Sequence, residues 1–443
     1  LKPLLHKTEP ALMQIESINA FQIFDSRGNP TVEVEVTLKN GTRGSGLVPS
    51  GASTGRYEAM ELRDGESRFR GKSVLKAVNK IHTEIAPALK GKDACDQEGV
   101  DRCMIELDGT DNKSRLGANA ILGVSMATAK AAANSQGKSL FDYLGKGQGY
   151  LLPLPEIQII GGGAHANWRI DVQDFLLIAN GAKNYAESLE MTFNVYHAAG
   201  DILKERNLYY GLADEGGYWP IFQTNEDVFP TFLEAIERAG YLPGKDVSIS
   251  LDIAASDLYD EESDTYRFNL EDKTFSSAEF AELMISWCQK YPIISIEDAM
   301  ADTDWDGWAM VYSALGRKVQ LIGDDLFTTN VRRIKKGIEK GVANAVLIKL
   351  NQIGTVTETL EAIRLTQGTG WLPVVSARSG ETEDAFISHL AVASNAGQLK
   401  VGSFARSERM VKWNEVLRIE RALGERARFH GARLYDLILD ARR

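Results

Sequence analysis

Six short runs rich in β-branched and apolar residues stand in the second half of the chain, and each gives way to charge at or near its end. They are VSISLD, closing at Asp252; IISIED, at Glu297 and Asp298; VQLIGDD, at Asp324 and Asp325; AVLIKLN, at Lys349; LPVVSAR, at Arg378; and LKVGSFAR, at Lys400 and Arg406. The charged positions follow one another at intervals of 22 to 45 residues, room for a strand, a helix and two loops. Strands this apolar are buried on both faces, the pattern of an all-parallel sheet with helical crossovers. A chemical group at the carboxyl end of each successive strand is how a (β/α) barrel builds an active site. Three carboxylates, a lysine and an arginine gathered there imply metal-assisted acid–base chemistry on an anion.

The chain of 443 residues exceeds a single barrel, so a second domain is expected. The first third reads differently from the rest. TVEVEVTL alternates apolar and polar residues and turns at Lys39, Asn40 and Gly41, as an antiparallel hairpin does. The Ala-rich GANAILGVSMATAKAAANSQG predicts a helix ending near Gly137. Residues 13–148 are read as a small α+β domain and 149–443 as the barrel, with LLPLPE at the junction. In the barrel, Ser276 with Glu279 and Thr355 with Glu358 have capping-box spacing, and Gly240 and Gly341 stand where helices should end.

A balance of 50 basic against 61 acidic residues argues against a nucleic-acid surface. Cys95, Cys103 and Cys288 are scattered and suggest neither a disulfide framework nor a zinc site. No apolar stretch approaches the roughly 18 residues of a membrane span, and the opening LKPLLHKTEPAL lacks the features of a signal peptide. A cytoplasmic enzyme without nucleic-acid or membrane partners is expected, with Met13 a natural start.

Acidic residues after strands often merely cap the next helix. Asp252, Glu297 and Asp324 on consecutive strands differ, because clustered carboxylates repel and raise one another's pKa unless a cation neutralises them. Oxygen ligands favour Mg²⁺. Lys349 interrupts an apolar strand, where burial disfavours its charged form, lowers its pKa and makes it a usable base. Arg378 and Ser379 offer a planar cation and a hydroxyl suited to phosphate; Lys400 adds a second cation. The plain alternative for Arg378 and Lys400 is internal pairing with the metal carboxylates. The loop SGASTG is either a surface turn or a mobile segment that closes over the site and supplies Ser53 to a metal. Glu215 in ADEGG is either in a plain turn or projected as a functional carboxylate. GESRFRGKS misses phosphate-loop spacing, and GGGAHA lacks the acidic partner of a dinucleotide fingerprint.

FDSRGNPTVEVEV, PSGASTG, YEAMELRD, DEGG, LDIAAS, SIED, DWDGW, GDDLFTTN, IKLNQIGTVTETLEAI, RSGETED and ARSER occur in this order, and through them the chain resembles the enolase family, the phosphopyruvate hydratases of glycolysis. The resemblance implies a (β/α)8 barrel with irregular first strands, a homodimer or larger ring, and two Mg²⁺ ions in the substrate complex. It implies Asp252, Glu297 and Asp324 as ligands of the first metal and Ser53 of the second. Lys349 would be the base, Glu215 the acid, and Arg378, Ser379 and Lys400 contacts to a small phosphorylated carboxylate. His165 matches the histidine of the family's GGSHA loop, and Asp174 occupies the place of a catalytic glutamate. A lysine base working with Mg²⁺ on an enediolate is what the resemblance implies for the chemistry.

The chain departs from that pattern on the leaving-group side. Ala377 stands where the family has histidine, Asp174 where it has glutamate, Gly161 to Gly163 where it has NGG, and Tyr218, Trp219 and Pro220 where small residues are usual. Three readings follow: dehydration of 2-phosphoglycerate to phosphoenolpyruvate; an enolase-like lyase on another phosphorylated or phosphonate carboxylate, such as a carboxyphosphoenolpyruvate synthase-type reaction; or a non-catalytic structural or binding protein of enolase descent.

Overall fold

The computed structural model describes residues 10–52 and 54–437; Ser53 lies outside the described residues. An antiparallel sheet of β1 (Ile15–Phe24), β2 (Pro30–Leu38) and β3 (Arg43–Leu47) opens the chain. Alternation in β2 turns Val32, Val34, Val36 and Leu38 fully inward, while the glutamates between them stay half-buried on the other face. The turn after β2 passes through Gly41 at φ +81°, a conformation glycine adopts without Cβ strain.

Helix α1 (Ala118–Ser135) packs across this sheet. A Cβ on Gly44 would stand 2.2 Å from the Ala131 nitrogen, and one on Gly46 2.7 Å from the Gly123 oxygen. Backbone therefore meets backbone. The alanines that favour the helix intrinsically are also what lets it approach so closely.

Eight strands close the barrel: β4 (Leu154–Gly161), β5 (Asp174–Ile178), β6 (Ser248–Asp252), β7 (Ile293–Glu297), β8 (Gln320–Gly323), β9 (Ala345–Ile348), β10 (Leu372–Ser376) and β11 (Gln398–Ser403), with β11 pairing back onto β4. All six runs read from the sequence are among them. The all-parallel expectation needs correction, because β5 runs antiparallel to both β4 and β6. The segment joining β4 to β5 holds only a 3₁₀ turn at Gly163–Ala166. A parallel return needs a longer crossover, usually a helix, so the chain comes back as a hairpin.

Ser276 caps helix α2 (Ser277–Lys290) in a complete capping box with Glu279. At Thr355 the box is incomplete. The Thr355 hydroxyl accepts from the Glu358 amide at 3.1 Å, but the Glu358 carboxylate pairs with Lys113 at 3.0 Å. The N-terminal domain thereby grips the barrel, and other contacts seat it over the strands' carboxyl ends. Ser50 and Gly380 exchange backbone hydrogen bonds of 2.8 and 2.9 Å, and the Ala59 amide donates to the Gln352 carbonyl at 2.8 Å.

Candidate active site

Strand register builds the first half of the site. Asp252, the last residue of β6, pairs with Glu297 of β7 on one side and Asp174 of β5 on the other. Lys400 projects from β11 to meet them: its Nζ is 2.7 Å from Asp252 Oδ2, 2.8 Å from Glu297 Oε2 and 3.7 Å from Asp174 Oδ2. All four side chains are buried. Burial works against the Asp252 carboxylate, yet the Lys400 charge and hydrogen bond hold its pKa down to about 2. Glu297 moves the other way, well above the usual range, through burial and then repulsion from Asp252. Two acids sharing one buried cation separate in this manner.

Lys349 directly follows β9, and its Nζ donates to Asp324 Oδ2. Gln352 holds the other oxygen of Asp324 at 2.8 Å. The expected fall in the Lys349 pKa is not found. Burial does lower it, but Asp324 and Glu297 outweigh burial, and the net direction is upward. Asp298 accepts from the Asp324 and Asp325 amides at 2.9 and 2.8 Å and holds a left-handed φ of +42°, an uncommon conformation for a residue with a Cβ.

Arg378 is paired, and the partners among the described residues are not the metal carboxylates. It forks onto Glu58 of the N-terminal domain at 3.0 and 3.1 Å and donates to Asn351 at 2.8 Å. Sequence reasoning missed Glu58, whose only signal was its place in YEAMELRD. Ser379 Oγ is buried beside Arg378 with no hydrogen-bond partner among the described residues.

The remaining group faces the same cavity. His165, Asp174, Glu215 and Ala377 line it together with Lys349, Arg378 and Lys400, as do Gly51 and Ala52 of the SGASTG loop. His165 Nδ1 is 3.7 Å from Asp174 Oδ1 and 4.0 Å from Glu215 Oε1. Burial alone would lower the His165 pKa; Glu215 and Asp174 raise it above the ordinary value. The departures at 174 and 377 thus line one cavity, from strands three apart in the ring. Tyr218 instead stacks on Tyr196 behind it, ring centroids 4.5 Å apart, in the space above Gly200.

Asp252, Glu297 and Asp324 do not form one tight trio. The first two meet at Lys400, Asp324 turns to Lys349, and Glu297 stays off the cavity wall. Asp298, Asp324 and Asp325 instead bring carboxylate oxygens within 4.8 Å of one another. Asp298 and Asp325 are likewise pushed well above the carboxylate range, by burial and then by their acidic neighbours. Glu297 Oε1 is buried without a hydrogen-bond partner among the described residues. A hard, all-oxygen donor set carrying this much mutual repulsion fits Mg²⁺.

A closed barrel with carboxylates on consecutive strand ends, a buried lysine, and a His–Asp–Glu group facing the same cavity is the arrangement of a barrel enzyme with acid–base groups beside acids that could hold a divalent cation. The family model described as "Enolase, N-terminal domain" matches residues 15–144, and that described as "Enolase, C-terminal TIM barrel domain" matches 149–437. A protein named Enolase 1 from Desulfitobacterium hafniense (strain Y51) is 58% identical over 417 residues, covering 94% of this chain and 95% of the relative. The chain belongs to the enolase family.

Proposed function

We propose that this protein is a Mg²⁺-dependent hydro-lyase that converts 2-phosphoglycerate to phosphoenolpyruvate. One observation carries the reading at the level of geometry. Lys349 follows β9 and Asp174 opens β5, four strands apart in a ring of eight, so a base and an acidic group rise from opposite sides of one cavity. Elimination of a proton and a hydroxide from adjacent carbons needs that placement.

Lys349 removes the C2 proton, and Glu215 delivers a proton to the hydroxide leaving C3, with His165 and Asp174 ordering that side. Lys400 lies where negative charge grows on the substrate carboxylate, a stabilisation made before the reaction starts. Arg378, its plane set by Glu58 and Asn351, and Ser379 receive the phosphate. Asp252, Glu297 and Asp324 would hold one Mg²⁺, with a second completed by the SGASTG loop through Ser53. Mg²⁺ held there would supply Lewis-acid charge to the substrate carboxylate. A cytoplasmic homodimer or larger ring completes the proposal; among the described residues, no helix is long and apolar enough to cross a membrane.

The test is enolpyruvate absorbance with 2-phosphoglycerate and Mg²⁺, run beside solvent deuterium exchange at C2. Turnover with Mg²⁺, lost on chelation, is expected. Exchange without dehydration, or neither signal, overturns the reading.

A further inference from the structure

Gln158, in β4, was not singled out by its residue type or spacing, yet its fully buried amide makes two directed bonds. Oε1 accepts from the Gly217 amide at 2.8 Å, and Nε2 donates to Asp174 Oδ1. The orientation is forced. A backbone N–H can only donate, so the amide oxygen must face Gly217 and the NH₂ must face the carboxylate. Gly217 lies two residues beyond Glu215 in the same turn. One side chain therefore fixes the strand carrying Asp174 relative to the turn carrying Glu215.

The amide is enclosed tightly. A Cβ on Gly217 would lie 2.5 Å from Gln158 Oε1; one on Gly161 would lie 3.0 Å from Nε2 and 2.8 Å from the Ala213 Cβ. Both positions must stay bare for the glutamine to fit. Two departures noted in the sequence then have one physical account. A short carboxylate at 174 is reached by a long amide at 158, and that amide leaves no room for a side chain at 161.

We propose that Gln158 is the positioning residue of the leaving-group side, aligning Asp174 with the Glu215 turn, and that side-chain lengths at 158, 161 and 174 are mutually dependent. The inference rests on the dehydratase reading above. Gln158→Asn shortens the amide by one methylene and breaks the bridge without changing its chemistry. Because a displacement of about 1 Å can cost ~10²-fold in rate, dehydration kcat is expected to fall about 10- to 100-fold, with KM and C2 exchange within about twofold of the parent. Asp174→Glu alone crowds the amide and lowers kcat as well. The double variant Gln158→Asn with Asp174→Glu restores the reach and recovers kcat to within about fivefold of the parent. Gly161→Ala, which leaves every hydrogen-bonding group intact, gives the same split between kcat and exchange.

A Gln158→Asn protein with parental kcat overturns the inference. So does a parallel loss of exchange and dehydration, which marks a general structural role, and so does a double variant no better than the single ones. A parent that leaves 2-phosphoglycerate unchanged overturns the dehydratase reading itself, and this inference falls with it.

Discussion

Glu58 grips Arg378 with both carboxylate oxygens, Oε2 to one terminal nitrogen at 3.0 Å and Oε1 to the other at 3.1 Å. The glutamate comes from the N-terminal domain and the arginine from the loop after β10, and both are buried. The pair serves as a clasp between domains and as the brace that sets the guanidinium plane. Removing one member of such a pair leaves a buried charge without its partner, which costs about 3–5 kcal/mol. Glu58→Ala is therefore expected to lose that much stability in urea unfolding and to raise KM for 2-phosphoglycerate. An unchanged midpoint together with an unchanged KM would contradict both roles.

Lys349 is expected to control the first proton transfer and little else. A positioned general base contributes about 10²- to 10⁴-fold, so Lys349→Ala should lower C2 exchange and dehydration together by a factor in that range. Its partner Asp324 keeps the Gln352 contact at 2.8 Å, so Mg²⁺ binding by calorimetry should persist. A variant that exchanges at the parental rate would remove Lys349 from the mechanism.

The barrel was legible in the sequence because burial on both faces leaves a simple record: apolar, β-branched runs interrupted only where chemistry needs a charge. Lys349 stood out for that reason. Partnerships were harder to read. Glu58 and Arg378 are 320 residues apart in sequence, and nothing local to either announces the other. The antiparallel turn of β5 escaped because a strand buried on both faces has the same composition in either direction. The direction of the Lys349 shift escaped because desolvation can be inferred from an apolar run, whereas the carboxylates that outweigh it come from other strands. Gln158 was invisible for a related reason: a glutamine inside a strand gains meaning only from the Gly217 amide and the Asp174 carboxylate that the fold brings to it.

The crowding of Asp252, Glu297, Asp298, Asp324 and Asp325 predicts that a divalent cation stabilises the fold. Ligand bound only to the native state adds about 2.7 kcal/mol at a hundredfold excess over Kd. Mg²⁺ should thus raise Tm, and chelation should reverse the effect. Asp324→Asn removes a cavity-wall carboxylate charge and should shrink the Mg²⁺-dependent rise. A Tm indifferent to Mg²⁺ would count against a carboxylate site of any composition.

Glu156 gives a prediction of opposite character, because its buried carboxyl is used by no step of the proposed reaction. It lies in β4, in register with Lys400, and Oε2 accepts from Ser250 Oγ at 3.3 Å, while Oε1 is buried without a partner among the described residues. Burial, only partly offset by Lys400 and the Ser250 hydroxyl, raises its pKa to about 7 from an ordinary 4.5. The folded chain therefore holds a proton that the unfolded chain releases between those two values. Where the native state binds more protons, stability falls as pH rises. The loss starts near the unfolded pKa and is complete above the folded one, and a shift of this size corresponds to about 3 kcal/mol. Glu156→Gln keeps the shape and cannot ionise. In metal-free buffer it should exceed the parent's unfolding free energy by less than about 1 kcal/mol at pH 5 and by about 3 kcal/mol at pH 8. Denaturant titrations of both proteins across that range measure the difference directly, and parallel curves would show that the Glu156 carboxyl is already ionised in the folded protein at pH 5.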